Sequence, residues 1–413
     1  MLAKHLKSIV KKFGTIAPSK QESISNKIFD VKAGKGISKT IEFAKIDKEI
    51  VSQNKSGCLM AKNSISEDAH AKFKSSTWKN NLSEKPTIKV PWFPQCESDL
   101  DLFGNMLIDL DPAKNPDHPS FCDPDYRTRR EAIGKSSIGY RMQDPISSVQ
   151  YSPEETAVWK YIYTRVRPLY NRLMCSEYLH SLSELEIEGL FTPERIPQLE
   201  DINQFLRKTT NWRIKPVNGI LSQREFLNCL AFRTFCSTQY IRHPSQPEYT
   251  PEPDIMHEYL GHLPNFADPK ICDISQRLGL LSLGASDEQI TAIGAIYWYT
   301  IEFGICREAG KKKIYGAGPC GSIKELHYIE ELFRSKPEVF RPLRITKGGD
   351  FPTNLVLQDL QPFYYIAESF NDFLHQLDEY ASDYSRQFDV MYDSTTNSIR
   401  TSVPVSLIHP HEG

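Results

Sequence analysis

The sequence predicts a mainly α protein: a single large helical domain with a few short strands and a C-terminal β-hairpin. Three observations carry this. Ser152-Pro153-Glu154-Glu155 is a strong helix start, with proline in the first turn and a glutamate placed for a capping box. Beyond it Trp159, Ile162, Tyr163, Val166, Leu169 and Tyr170 recur at helical spacing. Ser286-Asp-Glu-Gln289 is a second capping box, and Thr291 to Cys306 follows it as sixteen residues with one charge, which reads as a buried helix. Strand signals are confined to the end of the chain. They are Leu360-Gln-Pro-Phe-Tyr-Tyr-Ile366, and the pair Phe388–Tyr392 and Ser398–Thr401 joined by the turn Asp393 to Asn397.

In chain order, residues 1–50 carry eleven lysines against five acidic residues. Leu2, Leu6, Ile9, Val10 and Phe13 fall on one face of a short basic helix, with Lys4, Lys7, Lys11 and Lys12 around it. A presequence and a solvated leader both satisfy this pattern, and no arginine precedes Arg127, against the mitochondrial version. To about Pro86 the chain stays polar and aperiodic, so residues 1–87 read as a lysine/serine-rich leader and linker, largely disordered. Order begins at Val90-Pro-Trp-Phe-Pro94, and Ser98 or Asp99 opens a helix through Leu100, Leu102, Phe103, Met106 and Leu107. His118 stands in a turn-rich connection and reads as structural, and residues 134–148 suit a mobile loop or lid. Helices follow from Ile196-Pro-Gln-Leu-Glu-Asp201 and, after a turn at Gly219, past Phe226. Lys311 to Lys313 read as a solvated turn. Tyr315-Gly-Ala-Gly-Pro-Cys-Gly-Ser322 lacks the Gly-Lys-Ser/Thr ending of a phosphate loop and reads as a glycine-rich pocket wall.

Composition narrows the function. A net charge of −2 argues against nucleic acid as a partner. Nine cysteines, an odd number without a Cys-x-x-Cys pair, read as reduced thiols in a cytoplasmic protein, or in a plastid or mitochondrion if the basic start is a transit peptide. No apolar run reaches the ~18 residues of a membrane span. Small molecules remain as partners.

The chemistry concentrates in Tyr249-Thr-Pro-Glu-Pro-Asp-Ile-Met-His-Glu-Tyr-Leu-Gly-His262 and in Glu302. Pro251 and Pro253 keep the approach extended, and Asp254 can cap a helix opening at Ile255. His257 and His262 are five residues apart, not the four of His-Glu-x-x-His zinc proteases. Five α-helical steps would turn His262 roughly 140° away from His257. The expected remedy is Gly261 in a left-handed C-cap, with Pro264 blocking continuation, so that the unwound chain swings His262 back. Glu302 lies inside the apolar run, where a bare carboxylate costs several kcal/mol. Either a buried arginine neutralises it, or it joins the two imidazoles as the two-histidine, one-carboxylate triad of non-haem Fe(II) oxygenases. Arg242, just upstream, either pairs with a structural carboxylate or clamps a substrate carboxylate.

A co-linear set of segments closely resembles the pterin-dependent aromatic amino-acid hydroxylases. The set comprises VPWFP (90–94), DHP with DPxYRxRR (117–130), IPQLED (196–201), QYIRH (239–243), YTPEPDxxHExLGH (249–262), IYWYTIEFG (296–304), YGAG (315–318) and YYIAESFND (364–372). The resemblance implies that residues 88–392 form the catalytic domain, with 393–413 the rest of the hairpin and a tail. It implies Fe(2+) on His257, His262 and Glu302. It implies a tetrahydropterin (tetrahydrobiopterin or a related reduced pterin or folate) against Gly219, Leu221, Ser222, Phe226, Glu258 and Tyr297. An amino-acid pocket of Arg242, Thr250, Pro253, Trp298, Gly318 and Ser322 is implied as well. The activity implied is hydroxylation of phenylalanine to tyrosine with O2. Trp298 agrees with the phenylalanine and tyrosine enzymes, since the tryptophan enzymes carry phenylalanine there, and an apolar Leu357 favours phenylalanine. Tyrosine or tryptophan hydroxylation is the alternative within the family; a zinc hydrolase or a non-catalytic pterin- or amino-acid-binding relative are the alternatives outside it. Three departures stand out. Pro319-Cys320-Gly321-Ser322 replaces the usual Leu-Leu-Ser-Ser, removing a serine near the iron. Residues 1–87 show no match to the regulatory domain of the animal enzymes. The chain has no long C-terminal tetramerisation helix, so a monomer or dimer is expected.

Overall fold

The structure is a computed structural model that describes residues 87–104, 112–346, 351–356, 360–384 and 386–408. The leader to Pro86, Met106, Leu107 and Leu357 lie outside the described residues. Strand β1 (Ile88–Pro91) leads through a 3-10 turn (Glu97–Leu102) to α1 (Pro124–Lys135), α2 (Pro153–Leu173), α3 (Ser176–Ile187) and α4 (Leu199–Thr209). A βαβ unit follows, of β2 (Arg213–Pro216), α5 (Gln223–Ala231) and β3 (Thr234–Ser237). Short helix α6 (Ile255–His257) widens into a π turn (Glu258–His262), then comes α7 (Pro269–Ser282). Helix α8 (Asp287–Tyr297) widens into a second π turn (Trp298–Glu302). The rest is β4 (Ile305–Glu308), β5 (Lys311–Ile314), α9 (Ile323–Ser335), β6 (Phe340–Pro342), β7 (Tyr364–Ala367), α10 (Phe370–Asp383), β8 (Val390–Asp393), β9 (Ser398–Thr401) and β10 (Val405–Ile408).

The fold is mainly helical, as expected, and among the described residues the strands form one mixed sheet in the order β5-β4-β7-β6 and three two-stranded pairs. Both expected capping boxes form: Ser152 with Glu155 opens α2, and Ser286 with Gln289 opens α8. The inner face of α2 packs Trp159, Ile162, Val166 and Tyr170 into the main core, all wholly buried, each contributing roughly 1.5–3 kcal/mol. The expected C-terminal hairpin is the antiparallel pair β8–β9. Beyond it the chain returns as β10 to pair in parallel with β1, where a tail was expected. No described helix is long and apolar enough to cross a membrane.

Four local expectations are corrected. The segment after Ser98 forms a 3-10 turn, because Asp99 Oδ2 turns back to accept from the Gln95 and Cys96 amides. The apolar run does not stay helical to Cys306; the helix stops at Glu302, and Ile305 and Cys306 enter β4. Gly304 makes that exit possible, since a Cβ there would lie 2.1 Å from the Tyr315 ring. The lysines 311–313 are on β5, and the turn before them is Ala309–Gly310, both with positive φ as a two-residue hairpin loop demands. Residues 134–148 are tied down: Asp101, Glu200 and Gln198 side chains accept from the Met142, Ile146 and Val149 amides at 2.8, 3.0 and 2.9 Å.

Candidate metal centre

Asp254 caps α6, its Oδ1 accepting from the His257 amide at 3.3 Å. The expected unwinding at Gly261 does not occur. Gly261 has no left-handed backbone, and Leu263 and Pro264 keep helical torsions. Instead the helix widens: the Leu263 amide donates to the Glu258 carbonyl five residues back, at 3.1 Å. A turn closed by i to i+5 bonds aligns residues five apart much as an α turn aligns residues four apart, and such π turns recur at functional sites. His262 therefore comes beside His257, with ring centroids 4.8 Å apart and Nε2 atoms 3.0 Å apart. Glycine at 261 serves close approach, since a Cβ would meet the Ala317 carbonyl oxygen at 2.6 Å.

Glu302 ends the second π turn, closed by the Phe303 amide on the Trp298 carbonyl at 3.1 Å. Its Oε1 lies 3.0 Å from His262 Nε2 and its Oε2 3.6 Å from His257 Nε2. The arginine of the region, Arg242, is turned elsewhere. Its Nε and Nη2 grip Asp254 at 2.9 and 2.7 Å, and its Nη1 donates to the Gly321 carbonyl at 3.0 Å. Arg242 thus pairs with a buried carboxylate, and it leaves Glu302 to the imidazoles.

Glu258 brings a second carboxylate, with an oxygen within 4.8 Å of ligand atoms of both histidines. The electrostatics separate the two acids. Burial, and then the charge of Glu302, pushes Glu258 well above the usual carboxylate range. Burial also pushes Glu302 up, but the His262 and His257 imidazoles outweigh it and hold its carboxyl below the ordinary value. Burial pulls His257 down to about 4. Two imidazoles facing one carboxylate held below its ordinary value form a donor set that a divalent cation satisfies, and it leaves positions open.

The remaining expected residues are held by contacts of their own. Tyr297 stacks along His262 with its hydroxyl 3.5 Å from Nδ1, and Phe226 meets Tyr297 edge to face at 5.0 Å. Gly219, Leu221 and Ser222 form the turn into α5, with Ser222 capping that helix on Glu225. Trp298 is fixed by an indole hydrogen bond to Gln361 at 3.2 Å. The Gly318 amide donates to the Glu302 carbonyl at 2.8 Å, and Ser322 caps α9. Thr250 bonds the Glu252 carbonyl on the approach that Pro253 continues. Three supporting residues escaped the sequence reading. Phe235 lies against the His262 ring at 4.7 Å, and Asn265 Nδ2 bridges the Gly261 and Tyr315 carbonyls at 3.2 and 2.8 Å. Asp254, read only as a cap, is also the anchor of Arg242; its place after two prolines and twelve residues from the arginine was the available signal.

A mainly helical domain here brings two histidines and one glutamate to a point, the residue types of a facial triad. The chain belongs to the biopterin-dependent aromatic amino acid hydroxylase family, whose model matches residues 91–408. It is 43% identical over 311 residues to a phenylalanine-4-hydroxylase of Dictyostelium discoideum, covering 75% of this chain and 69% of that one. It is also 43% identical over 316 residues to a tyrosine 3-monooxygenase of Rattus norvegicus, covering 75% and 61%. Among solved structures it resembles phenylalanine hydroxylase of Chromobacterium violaceum with bound iron(III) and 7,8-dihydrobiopterin, with TM-score 0.50 and 26% identity over 62% of this chain and 92% of that one.

Proposed function

We propose that this chain hydroxylates phenylalanine to tyrosine with O2, using Fe(II) held by His257, His262 and Glu302 and a tetrahydropterin as co-substrate. The observation that carries it is the meeting of Glu302 with both imidazoles at 3.0 and 3.6 Å while Arg242 is committed to Asp254. When bound, the metal offers open positions for O2 and the pterin supplies two electrons.

The chain's own part is binding, orientation and exclusion of water. Arg242, held rigid by Asp254, keeps one N–H of Nη2 free of the bonds described above, and that edge receives the amino acid's carboxylate. Thr250, Pro253, Gly318 and Ser322 surround that position, and Trp298, immobilised by Gln361, forms the wall for the aromatic ring. Phe226 offers the pterin an aromatic face, with Gly219, Leu221, Ser222, Tyr297 and Glu258 around it. The buried Glu258 carboxyl, pushed upward by burial and by Glu302, faces the pterin's polar edge in this reading. The equal identity to the rat tyrosine enzyme makes tyrosine the second reading of the substrate.

The deciding experiment is anaerobic reconstitution with Fe(II), then admission of O2 with phenylalanine, tyrosine or tryptophan, with and without tetrahydropterin. Pterin-dependent tyrosine formation from phenylalanine is expected to be fastest. Product formed equally without pterin would exclude the reading, and faster turnover of tyrosine would move the substrate to the second one.

A further inference from the structure

The departure at Pro319-Cys320-Gly321-Ser322 has a geometric counterpart. A Cβ built on Gly321 would lie 2.7 Å from the Met256 carbonyl oxygen, 2.9 Å from its carbon and 3.0 Å from the His257 nitrogen. All three are backbone atoms, which cannot rotate aside. Gly321 is not among the glycines with positive φ, so its backbone is one any residue adopts, and close approach alone demands glycine. Its carbonyl accepts from Arg242 Nη1 at 3.0 Å. Arg242 holds Asp254, and Asp254 holds the His257 amide. The contacts close a ring that runs from Gly321 through Arg242 and Asp254 to His257 and back to Gly321. Both neighbours are pinned as well: the Tyr170 hydroxyl donates to the Cys320 carbonyl at 2.6 Å, and Ser322 caps α9. The loop has no freedom to slide away from the His257 peptide.

We infer that Gly321 is a positioning residue, whose lack of a side chain seats the loop directly on the peptide of His257 and whose carbonyl ties the loop to Arg242, so that ligand placement and substrate seating move together. The inference rests on the proposed function, because it needs His257 as a ligand and Arg242 as the carboxylate clamp.

The test uses the full chain and Co(II) as a spectroscopic probe of the site. Gly321→Ala and Gly321→Ser are compared with wild type for Co(II) affinity by chelator competition, for the Co(II) visible spectrum, for KM against kcat with phenylalanine in the Fe(II) enzyme, and for melting of the metal-free protein. Misplaced support around a ligand typically weakens metal binding about 10–100-fold. The expected result is Co(II) affinity reduced by about tenfold or more on that scale, a shifted spectrum, and a raised KM for phenylalanine. A lower melting temperature with wild-type Co(II) affinity and spectrum would reduce Gly321 to packing and overturn the inference. Should neither variant fold, Tyr170→Phe decides, since it frees the loop without filling space: weakened Co(II) binding supports the inference and unchanged binding overturns it. Failure of the wild type to take up one Co(II) would instead bring down the proposed function itself.

Discussion

Asp254→Asn isolates the role of the Arg242 anchor. Asp254 is wholly buried and Arg242 nearly so, and the carboxylate accepts from the Arg242 amide, Nε and Nη2 at 2.8, 2.9 and 2.7 Å. Asparagine keeps the shape but leaves the guanidinium with no counter-charge and turns an NH2 toward its donors. Removing one partner of a buried pair costs about 3–5 kcal/mol, mostly through the charge left behind. At roughly 2 °C per kcal/mol for a chain of this size, the metal-free protein should melt about 6–10 °C lower. Calorimetry at a fixed scan rate reads this directly. The double variant Asp254→Leu with Arg242→Met removes both charges, and it should recover much of the loss, because apolar replacement of a whole buried pair is often close to neutral. The KM for phenylalanine should rise in Asp254→Asn and stay high in the double variant, since stability returns but the clamp does not. A single variant that melts within about 2 °C of wild type, or a double variant less stable than the single, would refute the reasoning that an orphaned charge sets the cost.

Further outcomes follow from the same geometry. Glu302→Gln should abolish stoichiometric Fe(II) retention on a desalting column while leaving the helical circular dichroism intact. Phe226→Ala should raise the KM for tetrahydropterin with little change in the KM for phenylalanine, measured by varying each in turn. Asn265→Ala leaves two buried carbonyls without their donor, at about 1–3 kcal/mol each, and should lower both the melting temperature and Fe(II) affinity. Chelation of the holoenzyme should lower its melting temperature, and Fe(II) at about 100 times its Kd should restore about 2.7 kcal/mol.

Much of this was legible from residues alone because burial leaves few choices. A glutamate inside an apolar run needs a partner, and the two imidazoles of the other motif are what it meets. Capping boxes and helical periodicity located α2 and α8 because those signals are local. What could not be read depends on other parts of the chain. Nothing in Glu258–His262 distinguishes a π turn from an unwound cap, since the choice is made by the loop that packs on Gly261. Strand β10 escaped because its partner, β1, lies at the opposite end of the described chain. Arg242 was ambiguous between two carboxylates, and only the fold shows Asp254 within reach.

The two π turns and the glycine-rich loop explain one another. A π turn displaces its carbonyls from the regular i+4 pattern, and a buried carbonyl needs a donor. The loop supplies them: the Ala317 and Gly318 amides donate to the Ile301 and Glu302 carbonyls at 2.9 and 2.8 Å. Asn265 serves the Gly261 carbonyl in the other turn and the Tyr315 carbonyl in the loop, so its amide group ties that turn to the same strap that the Ala317 and Gly318 amides tie to the second. This arrangement requires backbone on backbone. A Cβ at Gly316 would fall 2.6 Å from the Glu302 carbonyl oxygen, and one at Gly261 equally close to that of Ala317. Tyr315-Gly-Ala-Gly is therefore more than a pocket wall. It is the element that stabilises an otherwise unfavourable helix widening at the two places where a five-residue step puts His262 beside His257 and Glu302 opposite both.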